Sequence, residues 1–141
     1  MAARLCTWGW PLLAALAAGC GGQPAPPPCE AEGAVRQFFG GVVDQNWSAA
    51  YGALHADGRK RLSVEQFTQR AKQYRRGLGF EPSAAHVRSC EERGDEAVSH
   101  VTLTGQSAGR QRFHKDAVTL RRGAEGWGVV LPPRFGQARA R

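Results

Sequence analysis

The apolar residues of this chain change their spacing once, near Pro82, and that change decides which class of fold is open to it. Ahead of it, Ala34, Val35, Phe38, Phe39, Val42 and Val43 recur every three or four residues and give a helix one apolar face. Asp44-Gln45-Asn46 reads as a break. Asn46 can then cap a second, short helix carrying Trp47, Ala50, Tyr51 and Leu54, which Asp57-Gly58 ends. Ser63 and Gln66 have the spacing of a capping box, so a third helix is predicted, with Val64, Phe67, Ala71 and Tyr74 as its apolar stripe. Gly77 and Gly79 stop it. Beyond Pro82 the period falls toward two, and four strands are predicted at about 84–91, 96–104, 111–121 and 127–131. Their separators, Arg93-Gly94, Gly105 to Gly109 and Gly123 to Gly126, each carry hairpin-compatible glycine. Helices first and then consecutive antiparallel strands predict an α+β domain, a curved antiparallel sheet of about four strands packed on N-terminal helices.

The N-terminus is of another kind. Arg4 is the only charge in the first nineteen residues, and an apolar stretch from Trp8 to Ala18 follows it, which is the layout of a secretory signal. A membrane-spanning helix needs roughly 20 apolar residues; this run is shorter, and Pro11 interrupts it. Its end, Leu16-Ala17-Ala18-Gly19-Cys20, resembles a bacterial lipobox, in which a signal peptidase cuts ahead of the cysteine and the cysteine receives the lipid. Ala17 fills the place where lipoboxes usually have Leu, with Leu16 one step earlier. The rival reading is an ordinary secretory signal cut nearby, which would leave Cys20 a thiol. The resemblance implies lipidation of Cys20 by two or three acyl chains, palmitate among them, and so stable attachment to a membrane. It places the protein in the bacterial cell envelope, facing the periplasm or the exterior. Gly21 stands where some lipoproteins carry an Asp that retains them at the inner membrane, which favours the outer one.

The expected organisation is a signal peptide at 1–19, a lipidated cysteine and proline-rich linker at 20–30, one domain at 31–136 and a basic tail at 137–141. Pro24-Ala25-Pro26-Pro27-Pro28 favours extended polyproline II, a semi-rigid stalk.

Four cysteines then divide by position. Cys6 leaves with the signal and Cys20 takes the lipid. Cys29 and Cys90 remain, even in number and in an oxidising compartment, so a disulfide between them is expected. A buried free Cys90 with a loose Cys29 is the alternative. Neither has the CxxC spacing of a redox or zinc centre. The formal charge of +7 would suit an anionic partner. Sixteen of the nineteen basic residues are Arg, however, which a GC-rich genome produces without selection for a ligand, and an exported protein rarely meets nucleic acid. Nucleic acid is therefore not expected as a partner.

Chemistry-bearing residues are few. If the second and third strands pair symmetrically about Ser107, His100 lies opposite His114, with Asp116 and Thr102 on the same face. That trio of His100, His114 and Asp116 could bind a ligand or pass a proton, but zinc wants three or four ligands, and no metal or cofactor is expected. His55 and Asp57 fall in the loop that ends the second helix. No serine sits in a nucleophile elbow and no glycine pattern makes a phosphate loop. Arg70, Lys72, Arg75 and Arg76 surround the apolar stripe of the third helix. They read as a solvated face, or as contacts to anionic headgroups at a membrane surface. The core is expected from Phe38, Val42, Trp47, Tyr51, Leu54, Phe67, Val101, Leu103, Phe113, Val129 and Leu131.

The order of elements resembles the nuclear transport factor 2-like superfamily, a cone of curved sheet wrapped around a long helix. The resemblance covers most of 31–135. Ala34-Val35-Arg36-Gln37-Phe38-Phe39, Trp47-Ser48-Ala49-Ala50-Tyr51-Gly52-Ala53-Leu54, Ser63-Val64-Glu65-Gln66-Phe67 and Gly126-Trp127-Gly128-Val129-Val130 carry it. In particular the chain looks like small bacterial lipoproteins of this fold. Enzymes of the superfamily place Asp, His or Tyr inside the cone; none of their motifs matches here residue by residue, so no catalytic residue is assigned. The expected function is a membrane-anchored envelope lipoprotein with a non-enzymatic binding or interaction domain, taking a small apolar ligand or an envelope protein. The alternative is a small hydrolase, isomerase or dehydratase using the cone cavity. An open cavity with His100, His114 or Asp116 pointing inward would favour the enzyme; a filled cone would favour the interaction module.

Overall fold

Helices precede strands throughout the computed structural model, which describes residue 22 and residues 28–137. The lipobox, Cys20, most of the proline-rich spacer and the last four residues lie outside the described residues. Helix α1 (Glu32–Val43) buries Val35, Phe38, Phe39 and Val42, the apolar face its sequence spacing predicts. Asn46 caps α2 (Trp47–Gly52), its side chain accepting from the Ala49 amide at 3.2 Å. At Gly41 the two helices meet so closely that a Cβ would lie 2.7 Å from the Ala50 nitrogen, so only glycine fits.

The sequence reading ended the second helix at Asp57-Gly58. Instead, those residues open a helix of their own, α3 (Ala56–Arg61). His55 caps it, Nδ1 accepting from the Asp57 amide at 3.3 Å. Asp57 lies in the first turn and Arg59, Lys60 and Arg61 in the last, an arrangement the helix dipole favours at both ends. Helix α4 (Val64–Gly77) starts at the full capping box expected, with Ser63 and Gln66 bonded reciprocally at 3.2 and 3.1 Å. It buries Phe67 and Ala71. Val64, expected in the same stripe, is exposed.

Strands β1 (Glu81–Arg93), β2 (Glu96–Ser107), β3 (Arg110–Gly123) and β4 (Gly126–Val130) form one antiparallel meander in the order β1-β2-β3-β4. Each hairpin turns on two residues. In the second, Ala108 and Gly109 both have positive φ (51° and 73°), as a type I′ turn requires. The strands therefore run further into the glycine-flanked separator than the sequence suggests, and the pairing axis falls between Ala108 and Gly109 rather than at Ser107. His100 pairs with Ala117, and Leu103 with His114. A shift by an odd number of residues moves side chains to the other face. His100 and His114 consequently lie on opposite faces of the sheet. Phe113, expected in the core, pairs with Thr104 on the outer face and is 70% exposed.

The core lies between the sheet and the helices. Phe38, Phe39, Phe67, Leu103, Leu120, Val101 and Val129 are fully enclosed there. Trp47, Tyr51 and Leu131 pack against it half-buried. Phe135, beyond the two prolines that end β4, folds back into the core and stacks between Phe67 (6.3 Å) and Tyr74 (5.0 Å). The free edge of β4 is covered by the link from α2 to α3, where the His55 amide donates to the Val129 carbonyl (2.9 Å) and the Val129 amide to the Ala53 carbonyl (2.8 Å). A disulfide joins Cys29 to Cys90, with Cα atoms 6.0 Å apart. Among the described residues no helix is long and apolar enough to cross a membrane.

Candidate functional site

Two surfaces of the sheet carry the residues singled out in the sequence. On the inner face Asp116 stands opposite Val101 and reaches Tyr74 of α4, whose hydroxyl donates to Oδ2 at 2.6 Å. Asp116 also accepts from the Ala117 amide at 2.8 Å. His114, two residues along the same face, meets the Tyr74 ring edge-on, with centroids 6.4 Å apart. So two of the three proposed site residues do point inward, and the third, His100, points out. What Asp116 meets is the Tyr74 hydroxyl, and the other side of that ring system is occupied by Phe135. Sequence reading placed Tyr74 on an apolar stripe and missed this contact. The cue available was the polar tip of a tyrosine, which usually finds a partner when buried.

Burial, reinforced by the Asp116 carboxylate that accepts its proton, pushes the Tyr74 hydroxyl far above the ordinary tyrosine range. The folded state then holds a proton that the unfolded chain loses above about pH 10. Stability from this group is complete below that pH and declines as pH rises beyond it, by up to about 1.4 kcal/mol per pH unit. Urea melts between pH 9 and 11 should therefore lose stability faster in the wild type than in Tyr74→Phe. Equal slopes would remove the assignment.

The outer face holds the other surface. Arg88, His100, Thr102, Thr104, Gln111, Phe113 and Lys115 line an open depression of about 500 Å³, which atoms of Val101 and Asp116 also reach. Arg88 reaches it from an irregularity in β1, between Val87 and Ser89, where the pairing with β2 skips one residue. Neither Arg88 nor Phe113 was assigned to a site from sequence, because face membership depends on a register that the hairpin turn sets.

The α4 cations do not act as one group. Arg75 is nearly enclosed: its guanidinium donates to the Val42 and Val43 carbonyls (3.0 and 2.7 Å) and pairs with Glu81. It satisfies the C-terminal carbonyls of α1, a structural task at the negative end of that helix. Arg70 lies beside the C-terminal segment, where Gly136 packs on its backbone. Lys72 and Arg76 remain exposed and line, with Trp47 and Phe80, a second depression of about 470 Å³. His55 sits on the β3–β4 hairpin, with Asp57 at 3.6 Å. Among the described residues no three of His, Cys, Asp and Glu come together as a metal site.

No protein-family model and no curated protein matches the sequence. Solved structures do resemble the fold. A SEC-C motif-containing protein from Rhodopseudomonas palustris superposes with a TM-score of 0.53 at 11% identity, over 72% of this chain and 77% of that one. A SEC-C motif-containing protein from Psychrobacter arcticus gives 0.56 at 12% identity, over 78% of this chain and 63% of the other. A protein from Campylobacter jejuni described as an NTF2-like transpeptidase gives 0.52 at 14% identity, over 72% and 97%. At such identities the likeness is one of fold. It shows a fold shared with these proteins and carries no activity with it.

Proposed function

We propose that this protein is an envelope lipoprotein, anchored through a lipid on Cys20, whose domain is a non-enzymatic binding module facing the periplasm or exterior, with the outer membrane as its place. The observation that carries the reading is the disulfide. Cys29 and Cys90 are joined to each other, as suits an oxidising compartment. Cys20 is then left at the head of the spacer for another chemistry, and the lipobox-like sequence before it supplies one. The interior supports binding at the surface: Phe38, Phe39, Phe67, Phe135 and Tyr74 fill the space between helices and sheet with ring-to-ring contacts.

The alternative, a small hydrolase, isomerase or dehydratase, draws on the inward-facing Tyr74, Asp116 and His114. Their mutual contacts and the stacked Phe135 favour a structural role for them.

Expression of the full chain in a diderm host tests the anchor. The mature protein is expected to begin at Cys20 and to carry acyl chains by intact mass, while Cys20→Ala yields none of this species. A mature N-terminus elsewhere, without lipid, would overturn it.

A further inference from the structure

The second depression, at the C-terminal ends of α1 and α4, is built by two reversals of the chain. Gln45 (φ 56°) turns α1 into α2 and brings Trp47 into the lining. Gly79 (φ 72°) turns the chain out of α4 and brings in Phe80 and Glu81. Lys72, Arg75 and Arg76 project into it from α4 at i, i+3 and i+4, the spacing that puts three side chains on one helix face. Three cations therefore meet a single carboxylate, that of Glu81, and Glu81 is paired with Arg75. Among the described residues Lys72 and Arg76 take part in no salt bridge. Nor, among them, does the Trp47 or Phe80 ring stack on another ring or lie under a cation.

Arg75 gives the depression its fixed point. Its side chain is only 10% exposed, and one guanidinium nitrogen is held by the Val42 and Val43 carbonyls. The Glu81 carboxylate paired with the other nitrogen is 73% exposed. The guanidinium is thus locked in the wall, while its counter-ion can swing out into water. We propose that this depression binds a small aromatic carboxylate, whose acid group takes the place of Glu81 on Arg75, beside Lys72 and Arg76, and whose ring lies against Trp47 and Phe80. The planar fork of a guanidinium matches a carboxylate in geometry as well as charge. The net positive lining favours an anion, and the two rings offer a flat ligand offset or edge-on contact. Glu81 then acts as an internal competitor, present at the high effective concentration of any group on the same chain. The site is separate from the interior between helices and sheet, which Phe38, Phe67 and Phe135 fill. The proposal names a ligand class for the binding-module reading and rests on it, but it needs no anchor at Cys20.

The test titrates the full chain carrying Cys20→Ala, which has no lipid, with naphthoate and follows amide and indole resonances by NMR. Shifts centred on Trp47, Phe80 and the 72–81 segment are expected, with a Kd of about 1 mM or below for a ligand of this size. Naphthalenemethanol has the ring without the charge and acetate the charge without the ring; each should bind at least about tenfold more weakly. Lys72→Ala with Arg76→Ala should weaken naphthoate by about three- to tenfold, since exposed charges contribute modestly. Arg75 is left intact, because it also holds the end of α1. Glu81→Gln removes the competitor and should tighten naphthoate by about threefold or more, with the fold unchanged by circular dichroism. Absence of shifts at Trp47 and Phe80, equal binding of naphthalenemethanol, or no gain from Glu81→Gln would each overturn the proposal. The mass of the natural mature protein reports separately on the anchor, so lipidation at Cys20 without a naphthoate site would remove this ligand class and leave the envelope reading standing.

Discussion

Phe38→Ala is expected to lower the unfolding free energy by about 3–5 kcal/mol, the usual cost of removing a large ring from a packed core. Phe38 is 1% exposed and meets Phe39 edge-on at 5.1 Å, Phe135 at 5.9 Å and Phe67 at 6.2 Å. These neighbours belong to α1, α4 and the C-terminal segment, so the ring is where three parts of the chain are joined. The size of the effect bears on function. Were the cone a ligand cavity, its wall would already be hydrated and truncation would cost little. In a filled cone, truncation leaves a void lined by aromatic rings, and an apolar void stays dry. Benzene should then raise the melting temperature of Phe38→Ala and not that of the wild type. Phe113→Ala is the control, expected to fall within about 0.5 kcal/mol because its ring is already in water. A cost below about 1 kcal/mol for Phe38→Ala, measured by urea unfolding, would return the ligand-cavity reading to first place.

The contrast between those two phenylalanines also marks how far the sequence could be read. Helical residues declare their burial through local spacing: Val35, Phe38, Phe39 and Val42 are buried as their three- and four-residue intervals require. Caps are equally local, and Asn46 and Ser63 sit where their side chains imply. In the sheet, alternation alone leaves both faces open until a hairpin fixes the register. Ala108 carries a positive φ of 51°, uncommon for alanine, so nothing in its side chain announced the turn. From that one position followed the separation of His100 from His114 and the exposure of Phe113. Asp57-Gly58 misled for a related reason. Gly is a helix breaker by propensity, but a six-residue helix with an acidic start, a basic end and a capping His55 tolerates one. Phe135 lay beyond two prolines, where no periodicity remains to be read, and only the closing of the core over Phe67 and Tyr74 gives it a place.

Loss of the disulfide is the other large effect expected. Replacing Cys29 and Cys90 together by serine should cost about 4 kcal/mol, the chain-entropy value for closing a loop of some sixty residues. The bridge does not act alone. The Ala31 amide donates to the Glu92 carboxylate at 3.0 Å, and Glu30 pairs with Arg122 at 3.1 Å, whose guanidinium lies over the Trp127 ring. These contacts fasten residues 29–31 to the same end of the sheet, yet exposed ion pairs of this kind are worth at most about 1 kcal/mol each. They should therefore hold the segment in place without replacing the covalent link. Glu92→Gln should cost far less than the double serine variant, and the two effects should not add, because both act on one short segment. Unfolding in urea, with and without reductant, measures the first quantity. Thiol titration of denatured, unreduced protein checks its premise, and two reactive thiols from Cys29 and Cys90 would refute it.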